Sequence, residues 1–281
     1  MIEVVFLLAL GLIWILFATI SDIRTTEIPD WLNFSLAIFA IGFRFFYSLF
    51  GGQGFNFFYQ GLIGLGIFFV LGNALYYGRL FAGGDAKLLI SLGAVLPLSG
   101  NIFTNLEIGI SFLFLFLASG SVYGIFASAY LAFRNRKSFS KEFSKTYKDH
   151  LTLNLMTMFL GIALMVLGLI FNELLIYLGI LIFVLPLVYL FTKSVDETMK
   201  KRTSPKNLME GDWLCSDVKI GKRTIKSTWN GLTKEEIKLL QKENKSVMIK
   251  RGVVFGPVFL ISFLLLIYFY LINTNLWNSL W

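Results

Sequence analysis

Four carboxylates, Asp22, Glu27, Asp30 and Asp85, stand beside long apolar runs in the strings SDIRTTEIPDWLN and RLFAGGDAKLLISLGAVLPL. With one cysteine, Cys215, and one histidine, His150, the chain has no internal disulfide framework and too few soft ligands for a Cys/His metal site. Its chemistry falls to carboxylates, hydroxyls and amines. A carboxylate at membrane depth is costly and usually faces a wet, protein-lined cavity where it works, as an acid–base group or as part of an ion path. Each residue also has a plainer reading. Asp85 can cap the helix that follows it, and Asp22 can be a solvated residue ending a helix. Glu27 can be a loop charge, and Asp30, ahead of Trp31, a helix cap.

The elements that position these groups are membrane spans. Of the 281 residues, 56% are apolar and 15% charged, a balance that belongs in a bilayer rather than in an ordinary soluble domain. Seven apolar runs approach or exceed the roughly 18 residues that cross the hydrocarbon as a helix. They are 4–20, 31–50, 57–77, 108–133, 151–171, 174–191 and 253–272. An eighth, 86–98, would rise only about 20 Å as a helix, short of the roughly 30 Å hydrocarbon, which puts Asp85 at or inside the membrane boundary. The first run carries Glu3 and no basic stretch before it, so it reads as a retained span rather than a cleaved signal. Gly83 and Gly84 leave the backbone before Asp85 conformationally free and closely approachable. Gly120, Gly124, Ser128 and Ala132 form a small-residue face suited to helix packing.

The net charge of +8 reports topology rather than nucleic acid. Lysine and arginine gather, Arg44 apart, around the segments that follow the first, third, fifth and seventh spans, while 51–56, 99–106, 172–173 and 273–281 contain none. The rule that basic residues stay inside then places the N-terminus outside and the four carboxylates at the cytoplasmic face. Trp277 and Trp281 suit an outer aromatic belt. The expected organisation is all-α and polytopic, with about eight transmembrane helices. A membrane core that carries the four carboxylates spans 1–133 and a basic interfacial segment 134–150, where Phe139, Phe143 and Tyr147 stripe a lysine-rich helix. Two further spans fill 151–191. A basic cytoplasmic α+β subdomain occupies 192–251, and the last span with an external tail 252–281. In the subdomain, Thr233 and Glu236 have capping-box spacing, and Val218 to Ile225 around Gly221 and Lys222 fit a hairpin.

The strings DIRTTEIPDWLN and AGGDAKLL resemble the two motifs of the type IV prepilin peptidase and preflagellin peptidase family, membrane aspartyl proteases of the GxGD type. Asp22 matches that family's first catalytic aspartate, a few residues before the pair Ile28 and Pro29. Asp85 matches the aspartate of GxGD, with Gly84 before it and Lys87 after it, although Ala82 stands where the motif has its first glycine. The resemblance covers roughly residues 1–135. The stretches EGDWL and GLTKEEI further on look like the C-terminal extension of archaeal members.

That resemblance implies an aspartic endopeptidase without cofactor or metal that removes the short basic leader from pilin-like or archaellin precursors. Asp22 and Asp85 would be catalytic, with Gly83, Gly84, Lys87 and Pro29 shaping the site and Glu27 and Asp30 candidates for attracting the leader. One carboxylate would take a proton from water while the other, protonated, donates to the scissile carbonyl. Asp85, beside a helix N-terminus, is the expected anion and Asp22 the expected acid. With a single cysteine the chain lacks the paired CxxC motifs of the methyltransferase domain found in bacterial relatives, so no N-methylation is expected. Lys87 either pairs with a carboxylate or reaches to the lipid headgroups. The basic segments would meet anionic headgroups; nucleic acid is not an expected partner, and the oligomeric state is open. A transporter and a nonenzymatic assembly subunit are the competing classes.

Overall fold

The structure is a computed structural model that describes residues 2–51, 54–221, 223–229, 231–250 and 252–272. It is an all-α polytopic membrane fold with a small strand-containing region before the last helix. The helices are α1 (Ile2–Thr25), α2 (Asp30–Phe50), α3 (Asn56–Tyr77), α4 (Gly83–Leu92), α5 (Ile102–Arg134), α6 (Arg136–Asp149), α7 (Leu151–Ile170), α8 (Glu173–Thr198), α9 (Lys234–Lys242) and α10 (Gly256–Ile272). Six of them, α1, α2, α3, α5, α7 and α8, are long and apolar enough to cross a membrane; α10 is shorter, and α4 has only 10 residues. The aromatic belt expected at Trp277 and Trp281, the tail after residue 272, and the turn residue Lys222 lie outside the described residues.

Two compact units divide the chain, one comprising 1–124 with 254 onward and the other 125–253. In the first, the core is built from Leu7, Ile15, Leu36, Leu88, Leu92, Phe112, Phe259 and Phe263, among others, all buried. Glycines set its helix spacing. Gly64 and Gly72 of α3 lie against α4, where an added Cβ would collide with the carbonyl of Gly93 and with Ile90. Gly120 lies against Phe255 and Val258, whereas a Cβ at Gly124 would meet nothing within 4 Å. The small-residue face of α5 is thus used for packing at Gly120 and not at Gly124.

The expected span 86–98 is not one helix. It ends at Leu92, and 93–98 continue as a buried turn, because Gly93 and Pro97 do not extend a helix. Carbonyls left open there must find donors in the protein, since lipid offers none. Arg44, fully buried, supplies them. Its guanidinium donates to the carbonyls of Ala94 (2.9 Å), Val95 (3.2 Å) and Pro97, and to that of Phe57 (3.0 Å), while stacking 4.4 Å above the Phe57 ring. The one basic residue out of keeping with the charge pattern is therefore a backbone plug for a helix that stops inside the protein.

In the second unit, α7 and α8 pack through Gly161, Gly168 and Gly179, whose absent side chains let backbone meet backbone. The expected basic helix is α6, with Phe139 against Phe191 of α8. Beyond α8, strands β1 (Lys200–Thr203), β2 (Trp213–Leu214), β3 (Val218–Ile220), β4 (Arg223–Ile225) and β5 (Val247–Lys250) form an antiparallel sheet in the order β1-β5-β2 and the β3-β4 hairpin. Gly221 turns the hairpin at φ +54°, a conformation that favours glycine. Both reciprocal bonds of the capping box between Thr233 and Glu236 open α9. Leu208, Leu214, Ile225, Leu232, Ile237, Leu240, Val247 and Ile249 give this region a small core of its own.

Candidate functional site

Asp22 does not follow its helix but lies within it, one turn before α1 ends at Thr25. There it is 7% exposed. One carboxylate oxygen accepts from the backbone N–H of Phe255 (2.9 Å) and of Gly256 (2.6 Å), at the start of α10. The Thr19 hydroxyl, one turn earlier, donates to the Gly256 carbonyl at 3.1 Å. Gly256 has to be small, because a Cβ there would lie 3.0 Å from the Asp22 carboxylate and 3.1 Å from the Thr19 Cα. Unsatisfied N–H groups and the positive end of a helix dipole suit a carboxylate.

Asp85 occupies the first turn of α4, whose N-cap is Ala82 and has no side-chain cap bond. Asp85 is therefore not the N-cap itself but the third residue of the helix, and its carboxyl group accepts from the Ala82 backbone N–H, a cap-type bond. Half-buried, it is near enough to Asp22 for the two carboxyl groups to interact electrostatically. Tyr123 of α5 also senses the Asp22 charge. Phe81, in the loop before α4, packs with Phe116 of α5 and with Phe255 and Phe259 of α10, an apolar wall beside this end of the unit.

The glycines ahead of Asp85 have separate roles. A Cβ at Gly84 would lie 3.1 Å from the Ile28 Cβ, 3.2 Å from its carbonyl oxygen and 3.3 Å from its nitrogen, whereas one at Gly83 would meet only Tyr76, at 3.7 Å. Gly84 thus admits the chain's own α1–α2 loop, with buried Ile28 next to Pro29. Neither glycine has a positive φ among the described residues, so close approach and not unusual backbone is what Gly84 supplies. Pro29 is the N-cap position of α2, with extended backbone (φ −65°, ψ 141°) and no side-chain bond, as expected where proline excludes the preceding helix.

Asp30 is consequently the first residue of α2 rather than its cap, which corrects the capping expectation. It pairs with Lys87 at 2.6 Å, so Lys87 takes the carboxylate alternative rather than the headgroups. Glu27 is exposed, and its backbone carbonyl accepts from Ser21 (2.9 Å) and Thr25 (3.2 Å). Two buried side chains that sequence reasoning did not single out complete the frame. Asn33 donates to the Gly84 carbonyl at 3.3 Å, and Ser91 to the Asn33 carbonyl at 2.8 Å. Asn33 stood in the motif string DWLN, while Thr19, Phe255 and Gly256 carried no signal beyond the Gly-Pro pair that opens the last span.

Among the described residues no cluster of His, Cys, Asp or Glu could hold a metal ion. No curated protein and no solved structure matches the chain. The type IV leader peptidase family matches residues 9–128, somewhat less than half of the sequence and the stretch that supplies Asp22, Asp85, Asn33, Arg44 and the helices carrying them. Over those residues, in a multi-pass arrangement of apolar helices with two carboxyl groups at one end, this chain is similar to the type IV leader peptidase family.

Proposed function

We propose that this protein is a membrane aspartyl endopeptidase that cleaves the leader from pilin-like or archaellin precursors, with Asp22 and Asp85 as its catalytic pair. The observation that carries the reading is that two carboxyl groups from helices far apart in sequence lie near enough for one to feel the other's charge, inside the segment that matches the leader peptidases. Two neighbouring carboxyls cannot both ionise easily and share a proton. In the hydrolysis, the charged partner takes a proton from water as the water oxygen adds to the scissile carbonyl. The protonated partner donates to the carbonyl oxygen, and a proton passes to the departing amine as the C–N bond breaks. No covalent intermediate is needed.

The side of the membrane follows from charge. Of the four basic residues in 1–124, Arg44 is buried as a backbone donor, and Arg24, Arg79 and Lys87 lie near the ends where the aspartates are. By the positive-inside rule that end is cytoplasmic and the N-terminus outside. A precursor whose basic leader stays inside presents its cleavage bond at the same depth. Glu27 and the Asp30–Lys87 pair, exposed near the same helix ends, are available to meet that leader.

The test is cleavage of a pilin-like precursor and of an archaellin precursor by the purified protein in detergent. Asp22→Asn and Asp85→Asn are each expected to lower the rate about 10²–10⁴-fold while the protein stays folded, since the amide keeps the shape and cannot cycle the proton. Unimpaired cleavage by either variant would remove that residue from the pair.

A further inference from the structure

The family match ends at residue 128, yet one of the two aspartates is held by residues more than a hundred positions beyond it. We infer that the start of α10 is part of the active site: the Phe255 and Gly256 amides, braced by Thr19, hold Asp22 as the anionic member of the catalytic pair. This rests on the peptidase reading above and assigns roles within it. Three observations converge. Two backbone N–H groups donate to a single Asp22 oxygen, at 2.9 and 2.6 Å. The Thr19 hydroxyl, buried on the same helix, grips the Gly256 carbonyl at 3.1 Å, so α1 holds both faces of that peptide segment. Gly256 leaves only enough room for this grip, with Thr19 and Asp22 within 3.0–3.2 Å of where a Cβ would stand.

Donors aimed at a carboxylate favour its charged form. Asp85 lies in the first turn of α4, and Asp22, in the last turn of α1, meets the N-terminus of α10, so a helix N-terminus no longer singles out Asp85 as the anion; Asp22 is the one with two direct amide donors. Asp22 then takes the proton from water, and Asp85, on the half-buried side, carries the proton that meets the scissile carbonyl. Phe255 and Gly256 act through Asp22 and touch no substrate, so they are positioning residues.

The consequence is a pH effect. The groups that bear directly on Asp22 are the two amides of α10, which favour its charged form against its burial, while Asp85 of α4 and Tyr123 of α5 lie within reach of its charge. Weakening the amide bonds makes the charged form harder to keep, so Asp22 takes up a proton at higher pH and the acid limb of the rate profile moves upward. A lost charge-assisted hydrogen bond corresponds to about one pH unit.

The experiment measures kcat and KM against pH for the full-length protein in detergent, with one precursor. Gly256→Ala is expected to lower kcat about tenfold, to leave KM within about twofold, and to raise the acid limb by about one unit. Thr19→Val should do the same to a smaller extent, and Thr19→Ser should restore the wild-type profile. Gly66→Ala, at a glycine with open space around it, is the control and should change nothing. Thermal unfolding establishes which variants are folded, and if Gly256→Ala is not, Thr19→Val decides. A folded variant with the wild-type acid limb overturns the inference. Cleavage that survives both Asp22→Asn and Asp85→Asn would instead refute the peptidase reading on which it rests, and the two failures are separable.

Discussion

Helices in the unit formed by 1–124 and 254 onward are joined by side chains that reach for backbone: Arg44 for the carbonyls after α4, Asp22 for the amides opening α10, Asn33 for the Gly84 carbonyl. In the unit 125–253, α7 and α8 are joined by the absence of side chains, with Gly161 and Gly179 bringing carbonyls and nitrogens of the two helices together. The second arrangement suits a hairpin of two long helices, whose backbone groups, the break at Pro186 of α8 apart, are satisfied within each helix. The first is needed where helices begin or end inside the protein. The proposed pair of carboxyls draws on such ends, because helix termini supply the open N–H groups that a carboxylate can use. The polar side chains buried in this unit are the cost of that irregular backbone.

The sharpest way to break this contrast is Arg44→Met. Methionine fills part of the volume and offers no donor, leaving up to four carbonyls in a dry interior without partners. Each orphaned group costs about 1–3 kcal/mol, so a loss of about 3 kcal/mol or more is expected, read as a large drop in thermal midpoint in detergent and a collapse of processing. A variant with near wild-type midpoint would mean that water or a backbone rearrangement replaces the guanidinium, and that α4 does not depend on side-chain plugging.

A smaller effect is expected within the two glycines before Asp85, which look alike in sequence. Gly84→Ala pushes a methyl group against the backbone of Ile28, which cannot yield as a flexible side chain would. We expect a cost of about 1–2 kcal/mol and about a tenfold fall in kcat as the first turn of α4 shifts. Gly83→Ala meets ordinary contact distance and gains helix propensity of about 0.5–1 kcal/mol, so it should be several-fold milder in rate and neutral or better in stability. Equal damage from both would return the glycines to the role of supplying unusual backbone conformations.

Much of this was legible in the residues, and what was not has identifiable causes. Six of the spans could be read because apolar runs of membrane length have few alternative fates, and the capping box at Thr233 and Glu236 because its four-residue spacing is local. The true end of α4 at Leu92 was hidden, since 86–98 is largely apolar and the donor that lets the backbone stop being helical after Gly93 lies on α2, in Arg44. Arg44 itself was visible as an anomaly of charge placement but not as a plug, because a lone arginine does not name its acceptors. Asp22 and Asp85 stood out as carboxylates beside apolar runs. The amides that hold Asp22 did not, since a backbone N–H has no sequence signature and Gly256 is 234 positions away.

The smallest effect expected is at Asp30, and it limits the contrast drawn above to buried contacts. Asp30 and Lys87 join α2 to α4 at 2.6 Å, a geometry as good as that of the buried links, but their side chains are 60% and 41% exposed. At such exposure water solvates both charges when the pair opens, so the pair contributes no more than about 1 kcal/mol. The α2 N-cap is Pro29 and not Asp30, so no helix-capping bond is lost with the charge. Asp30→Asn should therefore shift the thermal midpoint by only a degree or two and leave kcat within about twofold. KM separates the two remaining roles of the carboxylate. An unchanged KM across precursors makes the pair a surface link and nothing more, whereas a KM that rises in step with the number of basic residues in the leader assigns Asp30 to leader recognition, with Lys87 then acting as the competitor that a basic leader displaces.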